Sequence, residues 1–408
     1  DVMQNLFNSN QSLGFLDVMT GGSFSRMSIF ALNITPYITA SIILQLLTIA
    51  IPRLEEMQKD GEDGRKKINE YTRYLSIALA VIEGAAIVIG FRNQGLFGTD
   101  NPQSSMTTAI VVAVAALTAG AAFMMWLGEQ ITEKGVGNGI SIILLINIVA
   151  RIPNDLSNLY QNYVAKPTDV TSKIIAAVII LAIIVAMFVF IVFLQDGERR
   201  IPVQYAKKIQ GHKVSGGQSS HIPLKVNTAG VIPVIFASSM MSLPVVIASF
   251  AGIQPKTGPD ATFFQKFLTL CNQSDWCKIG SFAEFKYTLG LLIYIGLVIF
   301  FAYFYTSVTF NPLEISNNMK KQGGFIPGIR PGKPTTEYLT TVLNSIIFLG
   351  AIGMVIVCAL PIFFSGAFGA DVSFSGTSLI IVVGVVIETI KQIESLVLVR
   401  HYKGFLGN

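Results

Sequence analysis

The sequence predicts an all-α fold that crosses a membrane many times. Three observations carry that prediction. Of 408 residues, 51% are hydrophobic and 13% charged, with a mean hydropathy of +0.58, whereas soluble domains carry about 25% charged residues. The apolar residues gather into runs, several of which reach the roughly 20 residues that a helix needs to span hydrocarbon. One of them, residues 27–52, holds twenty-six residues without a charge, yet contains Pro36. Broken backbone at membrane depth is tolerated only where protein or a water-filled cavity encloses it. That run therefore points to a pathway through the membrane rather than to a simple anchor.

In chain order, nine membrane-length runs stand out, at about 27–51, 74–91, 106–127, 136–152, 172–195, 228–250, 287–308, 338–364 and 376–399. The segment before the first, GGSFSR at 21–26, has two glycines and a charge that keep it from facing lipid. The fourth run is the shortest and opens with Gly135, Gly137 and Gly139, as a re-entrant or buried helix could. The sixth carries Pro233 and Pro244. Short or Gly/Pro-interrupted spans mark translocation sites, so the first, fourth and sixth are the candidates.

Lys and Arg in alternate loops set the orientation. Loop 52–73, Lys134, loops 196–226 and 309–337, and the C-terminal end hold 20 of them, and the alternate segments hold 9. The richer side is expected in the cytoplasm, with the C-terminus. Asp1 then starts outside, and a further helix is expected before it. Cys271 and Cys277 fall in one outward loop, where a disulfide or two free thiols are both open readings.

Loop 52–73 carries six basic and six acidic residues and reads as a solvated, topogenic turn. Loop 196–226 differs, with Arg199, Arg200, Lys207, Lys208, Lys213 and Lys225 against Asp196 and Glu198. In loop 309–337, Pro327, Gly328, Pro331 and Gly332 bracket Arg330 as a stiff turn presenting one cation. Two long basic loops suit an acidic or RNA-rich partner. His212, His221 and His401 lack metal-ligand spacing, and residues 135–139 (GVGNG) lack the Lys-Ser/Thr of a phosphate loop. No metal, cofactor or enzymatic activity is expected.

Charges within the runs are few: Glu83 in the second, Glu388 and Lys391 near the end of the last. An acid at mid-span is a functional-site hypothesis. Gln45, Asn147, Ser238 and Ser239 read as interhelical hydrogen-bonding groups. Ile34 and Ile38, like Ile140 and Leu144, are four apart and share a helix face. Three readings stand at this level: a polypeptide conduit, a secondary transporter of small solutes and a membrane enzyme. Sparse intramembrane charge and large basic loops favour the conduit.

The stretches GGSFSRMSIFALNITPYITASIILQLLT (21–48), GEDGRKKINEYTRY (61–74), MMWLGEQITEKGVGNGISII (124–143), PLKVNTAGVIPVIFASS (223–239), FNPLEISNNMKKQGGFIPGIRPG (310–332), GTSLIIVVGVVIE (376–388) and RHYKGFLG (400–407) resemble, in order, the SecY family, channel subunits of the bacterial protein-conducting translocon. The C-terminal part looks Firmicute-like. The resemblance implies ten helices in two inverted halves around an hourglass pore, nine of them visible here and the first absent. The halves would be 1–165 and 166–408.

By position, residues 15–28 look like the plug, including Phe15, Gly21, Gly22, Ser23, Phe24 and Arg26. Ile34, Ile38, Ile140, Leu144, Ile235 and Ile381 would form the pore ring. The lateral gate would lie between the family's second and third helices and its seventh and eighth, with Gln45, Glu83, Ser238 and Ser239 along it. Arg330, with Arg199, Arg200, Lys207 and Lys208, would meet the SecA ATPase or the ribosome. SecE and SecG, secretory polypeptides with signal sequences, and membrane lipids are the other implied partners, in the plasma membrane. Asn33 stands where the family often has glycine, and Leu144 where isoleucine is usual.

Overall fold

The computed structural model describes residues 20–24, 26–92, 103–161, 170–205, 208–210, 213–215, 219–250, 253, 261–272, 276, 288–368 and 376–405. Phe15, Lys207 and Cys277 lie outside the described residues.

The first uncharged run does not form one helix. Helix α1, Thr35–Ala50, starts eight residues into it, with Pro36 in its first turn. A proline fits there because that N–H has no intrahelical partner anyway. Upstream, Met27 and Asn33 take left-handed backbone, with φ of 45° and 47°. Asparagine is the non-glycine residue that adopts this conformation most readily, so Asn33 makes the bend that a glycine would. Ile51, the residue before Pro52, is extended and ends α1. Helix α2, Pro52–Lys59, then leaves at 105°. The charged loop 52–73 is thus not a solvated turn: α2 occupies its first part, and α3, Glu62–Arg92, begins well before the expected 74.

Helix α4 (Gln103–Lys134) leads into α5 (Gly139–Leu159). Asn138 caps α5, its Oδ1 accepting from Ile140 N at 3.1 Å and Ser141 N at 3.4 Å. Helix α6 is Val170–Asp196 and α7 Ile232–Phe250. The short α8 (Phe263–Cys271) precedes α9 (Leu289–Thr309), α10 (Pro312–Lys321), α11 (Lys333–Phe368) and α12 (Gly376–Phe405). All nine expected runs fall on helices. Among the described residues, five are by themselves long and apolar enough to cross a bilayer, or six with the bent α1–α2 pair. The apolar parts of α5 and α7, Gly139–Pro153 and Ile232–Val245, are shorter. Length alone had marked the first of these in the sequence.

The helices pack around two separate cores. Phe24, Ala31 and Leu32 are buried against Ala80, Ile87 and Val88 of α3 and Leu117 and Ala121 of α4. A larger core joins α6, α7, α9, α11 and α12, with Ile191, Ala237, Tyr294, Val298, Ala351 and Ile380 each 1% exposed or less. The first four spans meet the later ones chiefly at two seams, α3 against α7 and α5 against α12.

The two basic loops come together as one folded unit, and this is where the fold departs from purely α. Strand β1 (Glu198–Tyr205) pairs antiparallel with β4 (Ser219–Lys225), and a short hairpin of β2 (Lys208–Gln210) and β3 (Lys213–Ser215) lies between them in sequence. From the other loop, β5 (Gly324–Phe325) adds to the far edge of β1, giving the order β4–β1–β5. Alternation along β1 turns Ile201 and Val203 inward. They pack with Leu224, Met319 and Ile326 onto Leu339, Val342 and Ile346 of α11. The edge contact is tight: a Cβ on Gly324 would lie 2.8 Å from Tyr205 Cε1 and 2.9 Å from Met319 Cγ. Replacing Leu224, 1% exposed, by alanine should cost about 2–5 kcal/mol. Amide exchange should then speed up across Glu198–Lys225 and at β5 together, while the spans stay protected. Exchange confined to β4 would show that the loops fold separately.

Candidate functional site

Four helices bring branched aliphatic side chains to one point. Ile38 comes from α1, Leu144 and Ile148 from α5, Ile235 from α7, and Ile381 and Val385 from α12. Leu144, Ile148, Ile381 and Val385 are buried, with Ile142, Leu145, Val231 and Val382 half-buried around them. The pairs 144/148 and 381/385 are one helical turn apart, so α5 and α12 each present a continuous apolar edge. This cluster bridges the early and late spans, and Val231 packs against both it and the larger core.

Of the six expected ring residues, the structure gathers Ile38, Leu144, Ile235 and Ile381. Ile140 is turned elsewhere, packing over α4 with its Cγ1 3.0 Å from where a Cβ on Gly128 would sit. Ile34 is buried at the N-cap of α1 but outside this cluster. Ile148 and Val385 take part instead. The i+4 spacing from Leu144 and Ile381 could have found them, but every membrane helix offers such pairs.

The segment ahead of α1 sits beside the cluster. Residues 20–24 form tight turns: Ser23 N–H donates to Thr20 O at 3.2 Å, and Phe24 N–H to Thr20 Oγ1 at 3.3 Å. Further turns close at Met27, Ser28, Ala31 and Asn33, so part of the irregular backbone is hydrogen-bonded locally. Gly21, at φ 66°, lies on α5, where an added Cβ would be 3.3 Å from the Cα, Cβ and O of Asn147. Asn147 lies three residues beyond Leu144, on the same side of α5, so Gly21 seats this segment at the edge of the aliphatic cluster. Phe24 is buried between α3 and α4, while Gly22 and Ser23 are half-buried and Arg26 is exposed.

The expected gate residues divide. Glu83 is half-buried on α3, the helix that touches α7, and has no hydrogen-bond or ion-pair partner among the described residues. Ser238 is fully buried and faces α9 rather than α3: its Oγ lies 3.3 Å from Tyr294 Oη. Ser239 is half-buried and Gln45 exposed. Most hydroxyls on the spans bond to their own helix rather than across to another. Thr39, Thr118, Ser242 and Thr306 each donate to the carbonyl four residues back, at 2.7–3.0 Å. Ser238–Tyr294 is a cross-helix exception.

On the folded basic unit, Arg330 is exposed on a braced turn. Thr335 Oγ1 donates to Arg330 O at 2.8 Å, Ser316 Oγ to Gly332 O at 3.1 Å, and Ile329 N–H to Ile326 O at 3.0 Å. Arg199 is exposed at the start of β1. Arg200 pairs with Glu198 at 2.6 Å, which engages part of its charge. Lys208 opens β2. At the base of the unit, Lys391 of α12 meets Asp196 at 2.6 Å; the pair is largely exposed and adds little stability. Cys271 is a free buried thiol, pushed above its ordinary range by that burial.

The sequence model of the SecY family matches residues 28–390. A protein translocase subunit SecY of Streptomyces scabiei is 44% identical over 98% of this chain and 88% of its own length. One from Halalkalibacterium halodurans is 43% identical over 97% and 88%. Identities this close do not single out the Firmicute-like character expected of the C-terminal part. The solved structure of a protein-conducting channel superposes with a TM-score of 0.60 at 18% identity, over 93% of this chain and 84% of that one. Sec61 in the canine ribosome–channel complex gives 0.57 at 17%, over 93% and 84%. At those identities the likeness is one of fold.

Gly21→Val should lift residues 20–24 from α5, because a β-branched residue at that φ costs about 1–2 kcal/mol and its Cβ crowds Asn147. Faster amide exchange at Ser23, Met27 and Ser28 is the expected result. Unchanged exchange would mean that the seat on Asn147 does not hold the segment.

Proposed function

Because the chain belongs to the SecY family, we propose that it is the central subunit of a protein-conducting channel, passing unfolded polypeptides across the plasma membrane and releasing transmembrane segments sideways into lipid. One observation carries this reading: a four-helix aliphatic constriction with a turn-rich segment seated at its edge. A ring of branched aliphatics dewets, which stops ions, and it can deform around a passing chain. It offers no hydrogen bonds, so it has no sequence preference.

In the resting channel, Ile38, Leu144, Ile235 and Ile381 form the seal and residues 20–24, with Phe24 and Arg26, belong to the plug. The halves 1–165 and 166–408 act as two bodies, and the seam of α3 on α7 is the lateral gate. Two separate cores and only two chief seams support that division. Glu83 lines the seam, where a half-buried acid without a partner is costly while the seam is dry. Opening to water or to a polar chain relieves that cost.

The chain itself performs no chemistry, so movement is driven from outside. The sheet-based unit with Arg330 and Arg199 is the face for the SecA ATPase or the ribosome, on the cytoplasmic side with the C-terminus. Ribosome-bound complexes among its structural neighbours support the second partner. SecE and SecG complete the channel in the membrane.

Arg330→Glu should abolish SecA-driven translocation of a secretory precursor into proteoliposomes while leaving insertion and folding intact, because the Arg330 side chain is exposed and the turn is braced through its carbonyl. Normal translocation would remove Arg330 from the motor contact. Replacing Ile38, Ile235 and Ile381 with serine should hydrate the constriction and raise resting ion leak in planar bilayers. An unchanged conductance would place the seal elsewhere.

A further inference from the structure

Helix α8 is short, well formed and apolar on both sides. Its start is fixed by a capping box: Gln265 Oε1 accepts from Thr262 N–H at 3.1 Å, and the Thr262 side chain faces the N3 backbone. Its inner face buries Leu268, Thr269 and Cys271 against α7 and α9. Trp276 locks its end. The indole is 1% exposed, donates from Nε1 to Leu270 O at 2.9 Å and lies 5.8 Å, centroid to centroid, from the Tyr294 ring. Leu270 O and Trp276 both press on Gly290, in the first turn of α9. The helix is therefore held level with the start of α9, at the end of α7 and α9 remote from the sheet.

The exposed side carries Phe263, at 85%, with Phe264 and Phe267 at its flank, exposed by 45% and 43%, and Lys266 exposed beside them. Residues 263, 264 and 267 share one side of a helix. The adjoining helices are also exposed and apolar, at Leu243 and Ile247 on α7 and at Leu289, Leu292 and Ile293 on α9. An aromatic face beside apolar spans, with a cation next to it, has the chemistry of an interfacial helix.

We propose that α8 lies in the lipid–water boundary, inserting Phe263, Phe264 and Phe267 among the acyl chains and setting Lys266 against anionic headgroups. The bilayer thereby holds the ends of α7 and α9 through the packing of α8 and Trp276, and α7 is the helix that touches α3. The inference needs only that the chain is embedded in a membrane, and is independent of what it conducts.

The test places a nitrobenzoxadiazole label at Phe263→Cys or Phe267→Cys in the full chain carrying Cys277→Ser, Cys271 and Cys358 being buried. The protein is reconstituted in phosphatidylethanolamine–phosphatidylglycerol vesicles. Ser220→Cys on β4, exposed to water, serves as the reference. At both phenylalanine positions the emission should shift to the blue of the reference. Quenching by lipid with a nitroxide near the headgroup end of its acyl chain should exceed quenching by aqueous iodide by about threefold or more, as for a side chain buried at the boundary. Iodide quenching equal to that at Ser220 would overturn the proposal, because the face would then look at water. Protection from both quenchers would overturn it as well, because protein would then cover the face.

Discussion

Hydrocarbon offers backbone N–H and C=O groups no partner, and that constraint governs the whole arrangement. Residues 20–24 and 26–34 form turns and bends ahead of α1, and they are enclosed and partly self-bonded. Phe24 and Leu32 sit between α3 and α4, Gly21 lies on α5, and successive i to i+3 bonds close the turns. Left-handed backbone at Gly21, Gly22, Met27 and Asn33 bends the chain within that enclosure.

The same constraint explains the division of labour among side chains. Hydroxyls along the spans mostly donate to their own helix, which leaves contacts between helices to packing. Each of the two cores is extensive, whereas the early and late spans share the aliphatic cluster and two seams. Branched aliphatic side chains at such a boundary can part without leaving buried polar groups of their own unpaired. Ser238, bonded to Tyr294 within the late core, strengthens one side of the seam rather than bridging it.

On the sheet side, rigidity matters more than charge count. A lone cation on a mobile loop transmits no force, whereas Arg330 stands on a turn braced by Thr335 and Ser316 and joined through Ile326 to α11. The first apolar turns of α11 are the floor of the sheet and its continuation is a span. A push on the turn is thus coupled mechanically to the late core. Asp196 with Lys391 adds a second tie, between the foot of α6 and α12.

How much of this the sequence determined depends on the range of the interaction concerned. Each long apolar run holds a helix, though the first does so only from Thr35, because burial in hydrocarbon and the need to satisfy the backbone act locally. Pro36 and Pro52 marked where α1 begins and ends, for equally local reasons. Arg330 was legible from the prolines and glycines around it. The apolar residues at 144/148 and 381/385 were visible as helix faces, but which faces converge is set by rotation and crossing of whole helices. So Ile140 turned to α4, and Ile148 and Val385 entered the cluster. The sheet was hidden for a related reason: the β1–β5 pairing joins residues more than a hundred positions apart, and β5 is only two residues long. Local chemistry wrote the elements and their breaks; only the tertiary structure, through contacts distant in sequence, decided what they enclose.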